Sequence, residues 1–121
     1  MTDAYTTGSW KPFRGHEREF VQAWIEFSEW ASTMPGAGRG FLARDLRDPE
    51  RFVSFVEWES IAAIRGWKTS REFKPRMARV QAHIDKFAPT ELAVVAVCAD
   101  GHHLDKTTPT QPPEPRLGGT R

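Results

Sequence analysis

Four side chains in this sequence suit chemistry on a small molecule: His83, Arg44, Arg71 and Tyr5. His83 lies beside a helical stripe through Val80 and Ile84, where it can act as a general base; an exposed histidine on the flank of that helix is the competing reading. Arg44 and Arg71 can stabilise an anion, or be solvated or salt-bridged arginines. Arg44 sits between Leu42 and Leu46 on one strand face, so a buried or interface charge is a further reading for it. Tyr5 is the sole tyrosine, and from the first strand it can point inward and donate to a ligand oxygen. His16 falls in the first turn of a helix, and His102 and His103 in the tail. With one cysteine, Cys98, and no Cys/His spacing of the zinc type, neither a disulfide nor a metal is expected.

Aromatic content is the unusual feature, five Trp and eight Phe in 121 residues. Such side chains build a core or line an apolar ligand cavity. Trp24 and Phe27 belong to the buried stripe of the first helix, and Phe73 and Met77 to that of the last. Phe55 and Trp58 fall on opposite faces of one strand, so at most one of them faces an internal cavity. Each of these six is either cavity wall or packing, and for Phe55 and Trp58 the packing is core or dimer contact.

Composition narrows the class. Lys plus Arg number 17 against 16 Asp plus Glu, so no basic field points to nucleic acid. No apolar run approaches the ~20 residues of a membrane span, and the opening residues lack the pattern of a signal peptide. A cytoplasmic protein is the expectation.

The elements that must position these residues follow from hydrophobic period. Residues 4–10 read as a strand, closed by a turn over 11–15. From His16 to about Thr33, Phe20, Ala23, Trp24, Phe27, Trp30 and Ala31 recur at helical spacing, and Pro35-Gly36 stops the helix. Gly40–Leu46 and Arg51–Trp58 read as a hairpin around Arg47-Asp48-Pro49-Glu50. A short helix covers 59–68. Ser70 is placed to cap another that runs to about Lys86, with Phe73, Met77, Val80, Ile84 and Phe87 along one side. Leu92–Cys98 is the last strand. The order is β-α-β-β-α-β, a ferredoxin-like α+β domain over residues 1–99 with a four-stranded antiparallel sheet. Strands 51–58 and 92–98 are apolar on both faces, which calls for a second cover, most simply another copy of the chain. Residues 100–121, rich in Pro and poor in large apolar side chains, read as a disordered tail.

The stretches Arg51-Phe52-Val53-Ser54-Phe55-Val56-Glu57-Trp58-Glu59-Ser60 and Trp67-Lys68-Thr69-Ser70-Arg71-Glu72-Phe73, with Trp30 and Pro35-Gly36 closing the first helix, carry a likeness. Over about residues 4–98 the chain resembles the antibiotic biosynthesis monooxygenase family of dimeric α+β barrels. The resemblance implies a homodimer with a cavity between sheet and helices in each subunit. In the polyketide-oxidising members of that family, an electron-rich phenol or anthrone loses a proton and passes an electron to dioxygen. The radical pair then recombines, and no cofactor is needed. Trp67 stands where the family often places a pocket tryptophan, its N–H able to donate to a substrate oxygen; a core tryptophan sealing the helix break is the plain alternative.

The haem-degrading members pair that tryptophan with a haem-ligating histidine about three turns further on. Here Met77 holds that position, and Thr6-Thr7-Gly8 lacks the asparagine expected on the first strand. Haem degradation is therefore ranked last. The leading expectation is a cofactor-independent monooxygenase of a small aromatic, polyketide- or quinol-like molecule, with Trp67, His83, Arg71 and Tyr5 as candidate catalytic residues. Trp24, Phe27, Arg44, Phe55, Trp58, Phe73 and Met77 are the candidate pocket residues. The alternative is a non-catalytic dimeric binding or stress-related protein for an apolar ligand.

Overall fold

A computed structural model describes residues 2–107. Its elements are β1 (Ala4–Pro12), α1 (Glu17–Ala31), β2 (Ala37–Arg44), β3 (Phe52–Trp58), α2 (Ile61–Lys68), α3 (Phe73–Gln81), β4 (Ile84–Ala93), β5 (Ala96–Ala99) and β6 (His102–Asp105). Strands β2-β3-β1-β4 form one antiparallel sheet in that order. This is the expected ferredoxin-like α+β arrangement, with β1 and β3 central.

Strand alternation decides what the helices cover. Ala4, Thr6, Gly8, Trp10 and Pro12 of β1 are buried in strict alternation, and Phe52, Ser54 and Trp58 of β3 share that face through the register Ala4–Trp58, Gly8–Ser54, Trp10–Phe52. Helix α1 lays Phe20, Trp24, Phe27 and Ala31 on it, with Phe20 packed against Trp10 and Phe52 at ring distances of 5.4 and 5.3 Å. Ile64 and Trp67 of α2 and Val80 of α3 complete the core.

Local chemistry sets the ends. Glu17 and Glu19 lie in the first turn of α1, where the helix dipole favours negative charge. Gly36, at φ +83°, turns the chain after α1, and a Cβ there would lie 2.7 Å from that of Ala63. Ser60 caps α2 by accepting from the Ala63 N–H at 3.1 Å.

Several boundaries differ from the sequence reading. The hairpin strands are joined by residues 45–51 rather than a four-residue turn, because Asp45 organises the loop. Its carboxylate accepts from the backbone N–H of Arg47 (2.8 Å) and from Arg51 Nη1 (2.7 Å). Those two bonds, the backbone one first, hold its pKa below the usual carboxylate value. Ser70 closes α2 instead of opening α3, since its hydroxyl donates to the Trp67 carbonyl at 2.7 Å. Helix α3 ends at Gln81, not Lys86. From Ile84 the backbone pairs with β1, which carries Phe87 across from Trp10, the two rings stacked at 4.0 Å.

The final strand of the sheet is thus residues 84–93, and Ala96–Ala99 pairs instead with His102–Asp105. Asp100 (φ 54°) and Gly101 (φ 78°) make the tight turn between them. The start of the segment read as a disordered tail is therefore a hairpin; residues 108–121 lie outside the described residues. No helix among the described residues is long and apolar enough to cross a membrane.

Candidate functional site

Between the sheet and the three helices lies a cavity of about 180 Å³. Its sheet side is built by Thr6 and Trp10 of β1, Ser54 and Val56 of β3, and Phe87 and Pro89 of β4; Trp24 and Phe27 of α1, Trp67 and Lys68 of α2, and Phe73, Met77 and Gln81 of α3 wall it from the helix side. The short α2, broken by Thr69-Ser70, turns Trp67 inward. Its ring packs 4.9 Å from Trp58, 5.7 Å from Phe27 and edge-on at 4.9 Å to Phe73.

Three of the buried indoles differ in one respect. Trp10 Nε1 donates to Ser54 Oγ at 2.9 Å, and Trp58 Nε1 donates to Thr6 Oγ1 at 3.0 Å. Trp67 Nε1 is buried and has no partner among the described residues. A buried, unpaired donor costs free energy on the order of 1–3 kcal/mol unless something accepts from it.

The only ionisable group among the described lining residues is Lys68. Its ammonium lies 2.9 Å from Glu91 Oε2, and Arg65 Nη2 is 3.2 Å from the other oxygen. The Lys68 hydrogen bond, reinforced by both positive charges, draws the Glu91 pKa down. The cavity edge thus carries a fixed positive charge whose carboxylate partner sits on β4. No group of three or more His, Cys, Asp or Glu that could hold a metal occurs among the described residues.

Five of the candidates named from sequence come together on this cavity: Trp24, Phe27, Trp67, Phe73 and Met77. The others stand apart from it. Trp58 is fully buried directly behind Trp67. Phe55 and Tyr5 are on the opposite face of the sheet, because their positions on β3 and β1 are odd in the alternation that buries Ser54 and Thr6. Arg44, at the end of β2, stacks its guanidinium 4.7 Å over the Phe52 ring and donates to the Pro49 carbonyl at 2.6 Å. Arg71 is exposed in the turn between α2 and α3. His83 follows α3 and meets His16, their Nδ1 atoms 3.3 Å apart.

Sequence reasoning missed Thr6, Trp10, Ser54, Lys68 and Phe87. Ser54 carried a readable signal, being the one polar residue on the Phe52–Val56–Trp58 face of an apolar strand.

None of the curated proteins searched matches the chain. Among solved structures it is similar to a mutant form of SnoaB, a cofactor-independent oxygenase from Streptomyces nogalater, with TM-score 0.70, 16% identity, and coverage of 78% of this chain and 94% of that one. A conserved protein of Methanosarcina mazei Go1 gives 0.68 at 16% identity over 77% and 93%. A Pseudomonas aeruginosa protein gives 0.63 at 17% over 78% and 95%. At such identities the likeness is one of fold. The sequence itself decides the family: residues 5–79 match the model for antibiotic biosynthesis monooxygenases, and the chain belongs to that family.

Proposed function

We propose that this protein is a cofactor-independent monooxygenase of a small electron-rich aromatic, a phenol, quinol or anthrone, working as a homodimer with dioxygen as co-substrate. The observation that carries the reading is that Trp67, a lining residue of an aromatic cavity, holds a buried Nε1–H with no partner among the described residues. A binding module for an apolar ligand has no need of an unsatisfied donor there.

In this reading the substrate oxygen accepts from Trp67 Nε1, and Phe27 and Phe73 hold the ring. The indole donor and the nearby Lys68 charge favour the phenolate over the phenol, in a site with mostly apolar walls. The phenolate passes one electron to dioxygen, and the radical pair combines at the ring carbon opposite the oxygen. The resulting hydroperoxide breaks its O–O bond. One oxygen atom stays as a new carbonyl, and the other leaves as water with the ring C–H hydrogen and the hydroxyl proton. A para-unsubstituted phenol thereby becomes a quinone, with substrate as the only reductant. The chain's own tasks are to orient, desolvate and hold the negative charge. His83, Arg71, Arg44 and Tyr5 have no part in this scheme.

Homodimerisation is supported by the outer sheet face, where Phe41, Phe55 and Leu92 are 48%, 39% and 47% exposed in the single chain. The test of the activity is oxygen uptake with a panel of phenols, hydroquinones and anthrones, using protein stripped of metal and flavin. Uptake with one oxygen atom of dioxygen incorporated into the product supports the assignment; no uptake across the panel, with binding of one of its members, leaves a binding protein.

A further inference from the structure

Away from the cavity, two histidines meet at the protein surface. His16 precedes α1 and His83 follows α3, 67 residues apart in sequence, yet their Nδ1 atoms are 3.3 Å apart. The ring centroids are separated by 5.6 Å, so the Nδ1 corners face each other. Only one proton fits between them, and one Nδ1–H donates while the other Nδ1 accepts. Among the described residues this is the one side-chain hydrogen bond that either ring makes.

The backbone holds both carriers in place. The Phe13 N–H donates to the His83 carbonyl at 3.0 Å, and the His16 N–H donates to the Phe13 carbonyl at 2.9 Å. The His16 carbonyl accepts from the Phe20 N–H at 2.9 Å, and the His83 N–H donates to the Val80 carbonyl at 3.1 Å. One histidine is thereby anchored to α1 and the other to α3. The encounter of the two rings follows from the fold.

Two neutral imidazoles at this spacing can chelate. A zinc ion at about 2.0–2.1 Å from each nitrogen would see the two about 107° apart, close to the tetrahedral angle. The ion would lie off the line joining the nitrogens. Each ring would turn by roughly 35° to aim its lone pair, within the broad χ2 range of histidine. His16 is exposed and His83 half-buried, so solvent has access to the remaining coordination positions.

We propose that His16 and His83 form a surface site for a divalent transition metal of the zinc and copper class, which staples the start of α1 to the end of α3. The ion takes the place of the shared proton, and the ring that held that proton carries it on Nε2 instead. Imidazole suits such metals, whereas magnesium and calcium prefer oxygen ligands. The site is separate from the cavity and does not depend on the oxygenase reading. Two of the four ligands of a structural zinc centre retain about half of its binding free energy, a dissociation constant on the order of 10 µM.

Titration of the full chain with zinc chloride tests this. The background carries Cys98→Ser, His102→Ala and His103→Ala, because Cys98 stands opposite His103 in the β5–β6 hairpin and could take zinc independently. Calorimetry should give one zinc per chain. At about 100 µM zinc the Tm should rise by about 5 °C or more, and magnesium should leave it unchanged. His16→Ala and His83→Ala should each weaken zinc binding about thirtyfold or more and abolish the rise.

Should either variant fail to fold, as judged by circular dichroism, nuclear magnetic resonance of the background protein decides. The imidazole signals of both His16 and His83 should shift with zinc. No zinc binding up to about 1 mM, an affinity that survives either substitution, or a shift confined to one of the two rings would overturn the proposal.

Discussion

Trp58 and Trp67 lie with ring centroids 4.9 Å apart, yet of the two only Trp58 has a partner for its N–H among the described residues, at Thr6 Oγ1. The pair separates two roles that an aromatic residue can hold in one core. Trp58 is packing with its polar atom paired. Trp67 is packing with its polar atom unpaired among the described residues.

Trp67→Phe keeps most of the packing and removes the donor. Because the native N–H is unpaired, its loss orphans no acceptor, and stability should change by no more than ~1 kcal/mol. Turnover of a phenol that the wild-type protein oxidises should slow by roughly tenfold or more, as loss of an anion-stabilising donor does. Thermal melts and oxygen-electrode rates on the same preparation measure both. A large loss of stability with unchanged rate per folded molecule would make Trp67 a core residue only.

Gly36→Ala probes the link between α1 and β2. At φ +83° an L-residue is strained, and the new methyl would meet Ala63 at 2.7 Å. A loss of about 2 kcal/mol or more is expected in denaturant melts. Gly66, where a Cβ meets nothing within 4 Å, is the control; as a helix-interior site it should gain slightly from alanine.

Acid should weaken the protein through specific carboxylates. Glu91, Glu57 and Asp45 have pKa values drawn below their ordinary values of 4.5, 4.5 and 3.8 by Lys68, Arg39 and the Arg47 N–H, respectively. A depressed folded-state value means that the unfolded chain takes up protons first. The stabilisation is therefore present above the ordinary value and is lost as pH falls through the folded one. Melting temperature should hold near neutrality and decline below about pH 4.5. Glu91→Gln should flatten part of that decline. An unchanged acid limb in Glu91→Gln would show that this ion pair carries no measurable share, as exposed pairs often do not.

The order of the first six elements was legible because period and punctuation agreed. The α1 stripe from Phe20 to Ala31 and the stop at Pro35-Gly36 left little choice. The end of α3 was not legible, because Val80, Ile84 and Phe87 satisfy helical spacing while the strand face of β4 reads Phe87, Pro89, Glu91, Ala93. Only pairing with β1 decides that contest. Asp100-Gly101 was readable as a hairpin turn and was outweighed by the prolines beyond it. In the cavity, the large apolar walls could be read from the helical stripes. Ser54 carried a signal in its lone polarity on an apolar face; Thr6 did not, since its importance comes from accepting the N–H of Trp58, 52 residues away in sequence.

The outer sheet face gives the last expectation. Phe41 and Phe55 are directly opposed on β2 and β3, and Leu92 lies across β1 on the same face. Each is more than a third exposed in the single chain. A cluster of this kind on a domain with a thin core is a surface that association would cover. Light scattering at micromolar concentration should give twice the 13.8 kDa chain mass, consistent with an interface of at least about 1,500 Å² in total. Phe55→Glu places a charge at the centre of that patch without touching the cavity, which lies on the other side of the sheet. It should yield a folded monomer with an unchanged far-ultraviolet spectrum. If the wild-type protein is a monomer at that concentration, or if Phe55→Glu leaves a dimer intact, this face is not where two copies meet.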